Sequence, residues 1–144
     1  MRKREIPIRG FNAAIHSSIP LGAGMSSSAA LEMATALAVR RISPFAFKPS
    51  GVSFVPKVDE RGQAPALTVT DRFELAKIGQ AAENQFVGAQ TGMLDQISSL
   101  FGKAFHAIEI DFQTPSVEHV PMIGEISIVV CHSGVKHALS LIHI

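Results

Sequence analysis

Residues 19–32 read IPLGAGMSSSAALE, in which a proline, two glycines and three serines precede an apolar run. Glycine lets a backbone turn tightly and approach a ligand closely. The loop leads into a predicted helix over residues 26–42, whose first N–H groups lack helical partners and whose dipole favours an anion. Serine hydroxyls add donors, and one of them could offer its oxygen to a magnesium ion. The stretch therefore suits a phosphate-binding loop, although it lacks the Gly-Lys-Ser/Thr of a Walker A sequence.

A second interpretation of the same letters is a glycine turn before a serine-capped helix, and spacing alone favours neither. Apolar residues recur at helical spacing after the serines, and Pro44 ends the pattern. The predicted buried stripe of this helix comprises Leu31, Met33, Ala34, Leu37, Ala38 and Ile42.

The rest of the chain predicts an α+β fold. Mixed apolar content predicts a strand over residues 8–19, and alternation predicts another over 105–112. A β-branched apolar run predicts a buried strand at 126–131. Residues 43–70, which contain four prolines, predict a long surface segment or insertion with a short hairpin near residues 52–58.

Two more helices are expected before the second of these strands. The first covers residues 71–86, with Asp71 as its cap and Gly88 just after its end. Its predicted apolar face comprises Leu75, Ile78, Ala82 and Phe86. The second covers residues 93–100 and is closed by Gly102.

Two carboxylates flank the glycine-bearing turn between these helices. Residues 82–96 read AENQFVGAQTGMLDQ, which places Glu83 before the turn and Asp95 after it. Phosphoryl transfer needs a magnesium ion on the phosphates and a group that orients or deprotonates the attacking hydroxyl. Two carboxylates on separate helices could divide these tasks. A solvated helix residue and a helix cap explain the same pair, and for two isolated acids that explanation is the more common one.

Both motifs together resemble the GHMP kinases, and in particular the galactokinase branch of that family. The resemblance implies an ATP-dependent kinase that phosphorylates the anomeric hydroxyl of galactose, with ATP and Mg²⁺ as cofactors. It implies that Ser28 and Glu83 bind the metal and that Asp95 acts on the sugar C1 hydroxyl. Nucleotide-binding residues carried over from the motif are Pro20, Gly22, Ala23, Gly24, Met25, Ser26, Ser27, Ser28 and Ala29. A weaker likeness at residues 133–139 suggests roles for Lys136 and His137.

The chain departs from the family pattern in three places. The given sequence contains no Gly-Glu-His-Thr-Asp-like segment ahead of the glycine-serine loop, where the family has the segment that supplies sugar-binding groups. Residues 43–70 are longer and richer in proline than the usual link, and the chain stops where the family continues into a second domain. We therefore expect a partial GHMP-kinase N-terminal domain over residues 1–144, lacking its first strands and the C-terminal domain and inactive by itself.

Composition limits the partners and the cellular compartment that we expect. Thirteen basic and twelve acidic residues give a net charge of +1. This is not the excess of positive charge that binding to nucleic acid or an anionic membrane requires. A single cysteine cannot form an internal disulfide, so we expect a cytoplasmic protein. The expected partner is a small sugar, and the sequence does not indicate an oligomeric state. Alternatives to a galactose kinase are another GHMP small-molecule kinase, a non-catalytic sugar and ATP sensor of the same fold, and a decayed or truncated product.

Overall fold

The computed structural model describes residues 8, 10–48, 51–56, 58–124 and 126–131. Three helices and two hairpins follow one another along the chain, which confirms the predicted α+β class. In order they are α1 (Ser27–Ile42), β1 (Phe45–Lys48), β2 (Gly51–Pro56), α2 (Val69–Ala82), a π-helical turn (Glu83–Val87), α3 (Leu94–Phe101), β3 (His106–Asp111) and β4 (Ser116–Pro121). Strands β1 and β2 pair antiparallel, as do β3 and β4.

The core lies where the three helices meet, because each of them contacts the other two. Leu75 of α2 and Ile97 of α3 are fully buried there, and the Phe73 and Phe101 rings pack with their centroids 5.3 Å apart. The buried members of this core are Met33, Ala36, Phe73, Leu75, Ala76, Ile97, Leu100 and Phe101. Burial of this apolar surface is what holds the three helices together.

Helix α1 has the predicted bounds but buries a different face from the predicted one. Its buried residues are Ala29, Met33, Ala36, Val39 and Arg40. Of the predicted stripe only Met33 is buried, whereas Leu31, Ala34, Leu37, Ala38 and Ile42 are exposed. The helix is apolar on two sides, and periodicity alone cannot choose the side that meets α2 and α3.

Helix α2 begins earlier than predicted. Thr68 is its N-cap, and Asp71 is the partner of Thr68 in a capping box. The Asp71 N–H donates to Thr68 Oγ1 over 3.1 Å, and the Thr68 N–H donates to Asp71 Oδ2 over 2.9 Å. Two otherwise unpaired donors are satisfied in this way. Asp71 thus contributes to the cap from inside the first turn.

The end of α2 differs more from the prediction. Its last regular residue is Ala82, after which Glu83–Val87 form a π-helical turn closed by Gly88, whose N–H donates to the Glu83 carbonyl over 2.8 Å. The wider turn rotates the residues that follow relative to an α-helix. Phe86, which was predicted on the buried face, is consequently 92% exposed. Of the other residues predicted on that face, Leu75 is buried as predicted and Ala82 is exposed.

The hairpin β1–β2 lies within the proline-rich segment and begins before the predicted position. Phe45 pairs with Pro56, and the Phe45 side chain is fully buried. Arg40 of α1 fastens this part of the chain, because its Nε donates to the Phe45 carbonyl over 3.1 Å and its Nη2 to the Pro65 carbonyl over 2.5 Å. The segment therefore packs on α1 at both of these points.

Helix α3 ends at Gly102 as predicted, and the chain continues into β3 and β4. Along β3 the side chains alternate between half-buried and exposed, with Ile108 and Ile110 on the inner side. Ile110 pairs with Val117 of β4, and both pack against the helical core. The predicted strand at 105–112 is thus confirmed, while β4 was not predicted.

Two predicted strands are wrong. The described residues within 8–19 and within 126–131 form no regular strand, and Ile126, Ile128, Val129 and Val130 are exposed. A strand needs a neighbouring strand for its backbone hydrogen bonds, and within the described ranges neither segment has one.

Two further features concern the chain as a whole. No helix among the described residues has the length and apolar character needed to cross a membrane. The single cysteine, Cys131, is a free and exposed thiol.

Candidate active site

The glycine-serine loop precedes α1 with three residues in the left-handed region. Gly22 and Gly24 both have φ of 71°, and Ser26 has φ of 53°. The first two are conformations that glycine adopts at no cost. Ser26 is the N-cap residue, yet no side chain caps the helix. The N–H groups of the first turn therefore point out of the helix without a side-chain acceptor, as an anion site requires.

Ser28 faces across to the end of α2. Its Oγ donates to Glu83 Oε1 over 2.9 Å, which joins two residues that are 55 positions apart in sequence. Glu83 is 5% exposed whereas Ser28 is exposed. The pair therefore places a buried carboxylate behind an accessible hydroxyl, at the start of α1. The two residues to which the resemblance assigns the metal are thus adjacent, while their role as metal ligands stays a prediction.

Thr91 approaches Glu83 from the turn between α2 and α3. Its Oγ1 donates to Glu83 Oε2 over 2.6 Å. The Thr91 backbone is held in turn by Asn84, whose Oδ1 accepts from the Thr91 N–H over 2.9 Å, and by Gln80, whose Nε2 donates to the Thr91 carbonyl over 2.9 Å. The turn is thus fastened to the helix that carries Glu83.

Gln96 of α3 completes the surroundings of Glu83. Its side chain is fully buried, and Nε2 donates to Glu83 Oε2 over 3.2 Å and to Glu32 Oε2 over 3.4 Å. Desolvation raises the pKa of Glu32, the hydrogen bond from Gln96 opposes that shift, and the charge of Glu83 adds to it. Two carboxylates of like charge therefore share one amide donor.

Asp95 lies next to Gln96 in the first turn of α3, where the helix dipole favours a negative charge. Its side chain is half-buried. Within the described ranges its carboxylate makes no hydrogen bond and no ion pair, which leaves both oxygens available to a ligand. No hydrogen bond or ion pair joins Asp95 to the Ser28–Glu83 pair, and its sequence neighbour Gln96 is the residue that bonds Glu83.

The residues present fit a magnesium ion of the kind that nucleotides carry. No group of three or more His, Cys, Asp or Glu side chains that could hold a metal occurs in the part of the chain that the structure describes. Magnesium in nucleotide sites usually takes only one or two protein oxygens, because phosphates and water supply the rest. The Glu83 carboxylate and the Ser28 hydroxyl, 2.9 Å apart, are oxygen ligands of that type.

Comparison with known proteins identifies a family and relatives with similar sequences. Residues 1–50 match the family described as GHMP kinases N terminal domain. The chain is 35% identical over 137 residues to a galactokinase of Chloroflexus aurantiacus, covering 95% of this chain and 29% of that protein. It is 40% identical over 139 residues to a galactokinase of Thermotoga petrophila, covering 96% of this chain and 33% of that protein. A galactokinase of Roseiflexus is 34% identical over 133 residues, covering 92% and 28%.

The loop, the helix that follows it and the sequence matches indicate one class of protein: residues 1–50 match the N-terminal domain of the GHMP kinases, and nearly the whole chain is similar to galactokinases. The three relatives named above are galactokinases that match nearly all of the chain, and the chain spans about a third of their length. No solved structure matches the chain.

The structure brings some predicted site residues together and leaves others apart. Ser28 and Glu83 are in contact, whereas Asp95 approaches them only through Gln96. Lys136 and His137 lie outside the described residues. Sequence reasoning missed Glu32, Thr91 and Gln96. One signal could have found Gln96: it is a polar residue on the face of α3 that also carries Ile97 and Leu100, and polar residues in such positions are usually there to bond another group.

Proposed function

We propose that this chain supplies the phosphate-binding loop, the magnesium ligands and the catalytic aspartate of a kinase that transfers the γ-phosphoryl group of ATP to the anomeric hydroxyl of galactose. The single observation that supports it best is the Ser28–Glu83 hydrogen bond, which joins the glycine-serine loop to a buried carboxylate. The galactokinase relatives support the choice of substrate. A cytoplasmic location is part of the same proposal.

Each group has a task that follows from its position. The phosphates of ATP accept hydrogen bonds from the free N–H groups at the start of α1 and from the serine hydroxyls, within the loop formed by residues 20–29. Ser28 and Glu83 would hold the magnesium ion, which would supply positive charge to the phosphates of ATP. Preorganised donors of this kind act on the charge of the transferring group without rearranging during the reaction.

Asp95 receives the sugar. Its carboxylate has no partner among the described residues, so it can accept the hydrogen bond of the C1 hydroxyl and orient the oxygen toward the γ-phosphorus. A bond forms between that oxygen and phosphorus while the bond from phosphorus to the β,γ-bridging oxygen breaks. ADP leaves, and the hydroxyl proton passes to Asp95 or to water. Positioning of both substrates accounts for most of the rate in reactions of this class.

The test is galactose-dependent release of ADP by a purified protein carrying this chain, with ATP and Mg²⁺ present. Replacing Asp95 by Asn should lower kcat by about 100-fold or more, as expected for loss of an acid–base or orienting group. Glu109→Gln is the matched control, because it makes the same carboxylate-to-amide change at an exposed position of β3. Normal turnover in Asp95→Asn would contradict the catalytic assignment.

Substrate panels separate the proposal from its alternatives. Phosphorylation of homoserine or mevalonate without activity on galactose would indicate another GHMP kinase. Binding of galactose and ATP without ADP release in the unaltered protein would indicate a sensor and exclude the kinase.

A further inference from the structure

The two oxygens of the Glu83 carboxylate are occupied unequally. Oε2 accepts two hydrogen bonds, from Thr91 Oγ1 at 2.6 Å and from Gln96 Nε2 at 3.2 Å. Among the described residues Oε1 accepts a single hydrogen bond, from Ser28 Oγ at 2.9 Å. Since a carboxylate oxygen has about two acceptor positions, Oε2 is full and Oε1 is not. The open position is on the oxygen that lies beside the exposed Ser28.

Both donors to Oε2 are held by neighbouring groups. The Thr91 backbone is bonded at its N–H by Asn84 and at its carbonyl by Gln80, which keeps its hydroxyl beside Glu83 Oε2 at 2.6 Å, with Asn84 Oδ1 a longer alternative acceptor at 3.3 Å. Gln96 is fully buried between the helices, and the Gly79 position of α2 lies against it: a Cβ there would be 3.0 Å from Gln96 Cγ. Both donors are therefore positioned by groups on α2 or at its end.

The buried amide of Gln96 has an unsatisfied acceptor. Its Oε1 has no hydrogen-bond partner in the part of the chain that the structure describes, while its Nε2 lies between Glu83 and Glu32. Turning the amide over would aim Oε1 at two carboxylates, which cannot donate. An unpaired buried acceptor destabilises a fold relative to an apolar side chain of the same shape. The amide thus carries this cost while donating to Glu83 and Glu32, so its defined contribution at this position is to hold Glu83 Oε2.

We infer that Gln96 and Thr91 are positioning residues for a divalent cation at Glu83. They occupy Oε2 and leave Oε1, next to the Ser28 hydroxyl, as the oxygen that meets the metal. The inference rests on the proposed function, since it takes Glu83 and Ser28 as the metal ligands. Hydrogen-bond partners that orient a metal ligand typically change metal affinity by about 10–100-fold when they are removed.

The first test replaces Gln96 by Met, which keeps the length and removes both the donor and the unpaired acceptor. Binding of Mn²⁺ in the presence of ADP is measured by the electron paramagnetic resonance signal of free Mn²⁺. The Kd should rise by about 10-fold or more. The thermal midpoint should fall by only about 3–8 °C, as loss of one donor to a buried acceptor predicts, because Glu83 keeps its two shorter hydrogen bonds. Gln113→Met is the matched control at an exposed turn position.

The second test uses a pair of variants at Thr91. Thr91→Val keeps the shape and loses the hydroxyl, whereas Thr91→Ser keeps the hydroxyl. Weaker Mn²⁺ binding is expected in the first, and recovery in the second. The pair supports the inference even if the Gln96 variant folds poorly, because Thr91 reaches the same oxygen from a different element.

The outcomes separate the inference from the proposed function. Unchanged Mn²⁺ affinity in folded Gln96→Met and Thr91→Val overturns the inference and leaves the kinase proposal standing. A large loss of thermal stability in both variants, with no recovery of Mn²⁺ binding in Thr91→Ser, shows a structural role and also overturns it. If the unaltered protein binds Mn²⁺ and the variants weaken that binding, but galactose-dependent ADP release does not occur, the positioning role is supported and the kinase is excluded. Absence of any Mn²⁺ binding in the unaltered protein overturns both.

Discussion

The three-helix cluster and residues 126–131 contain similar aliphatic side chains but bury them to very different extents. Helices α1, α2 and α3 bury Leu75 and Ile97 completely, whereas residues 126–131 leave Val129 78% exposed. Both regions are rich in aliphatic side chains. The difference is that each helix satisfies its own backbone and needs only a face to pack against, while a strand also needs a hydrogen-bonding neighbour.

The candidate site lies in the three-helix cluster. Ser28 comes from α1, Glu83 from the end of α2 and Gln96 from α3, so the packing of three helices positions the carboxylate. The β3–β4 hairpin, by contrast, contributes only Ile110 and Val117 to the core. Substitutions in the helical cluster should therefore affect both folding and the site, and substitutions in the hairpins should affect folding alone.

The largest effect is expected where α2 passes closest to its neighbours. A Cβ on Gly79 would lie 2.4 Å from Met33 Cε and 3.1 Å from Glu32 Oε2. Met33 is itself buried, so the branched side chain of Gly79→Val has no space to enter. We expect a loss of unfolding free energy near the upper end of the range of about 1–3 kcal/mol for overpacked cores. Chemical denaturation measures it.

Gly10→Val provides the control for that change, because a Cβ on Gly10 would meet nothing within 4 Å. The Gly79 variant should also weaken Mn²⁺ binding, since Gln96 must move. Equal stability of the two variants would show that α2 does not approach α1 and α3 as closely as described.

A smaller effect is expected at the contact that fastens the first hairpin. Arg40→Met removes the donors to the Phe45 and Pro65 carbonyls while retaining the aliphatic length of the side chain. Loss of donors to buried acceptors typically costs about 1–3 kcal/mol, and partial exposure near Pro65 places this case at about 2 kcal/mol. Arg41→Met, on the exposed side of the same helix, should be nearly neutral. Mn²⁺ binding should be unchanged in both, which distinguishes this contact from Gly79.

The smallest effect is expected at the turn between β3 and β4, and it depends on pH. Hydrogen bonds from the Thr114 hydroxyl and from the backbone N–H groups of Gln113 and Thr114 lower the pKa of Asp111 below 3.8. A carboxyl with a depressed pKa stabilises the fold above its unfolded-state value and loses that contribution as the pH falls through the folded-state value. The stability difference between the unaltered protein and Asp111→Asn should be constant near pH 6 and shrink below pH 3.8. A difference that grows on acidification would contradict the assigned hydrogen bonds.

Local signals predicted the helices well. The serine-rich start and Pro44 bracket α1, and Gly88 and Gly102 follow the two later helical segments at the expected positions. These signals are reliable because caps and breakers act on neighbouring backbone groups. The π-helical turn was missed, since a turn of that width depends on what its side chains contact, and Phe86 was misplaced as a result.

The candidate site was predicted in part. Ser28 and Glu83 stand out from the sequence through the motifs around them, and the structure places them in contact. The role of Asp95 stays a prediction. Thr91 and Glu32 carry no signal in sequence, because a threonine in a turn and a glutamate on a helix are ordinary until their partners are known.

The amino-acid sequence by itself indicated the family resemblance, the signals that bracket α1, the glycines that follow the later helical segments and the motifs that contain Ser28 and Glu83. All of these follow from short motifs and from backbone groups close together in the chain. Only the tertiary structure decided which side of α1 is buried and which oxygen of Glu83 is left open beside Ser28. Those choices depend on side chains that are distant in sequence and meet only when the three helices pack, so no local pattern encodes them.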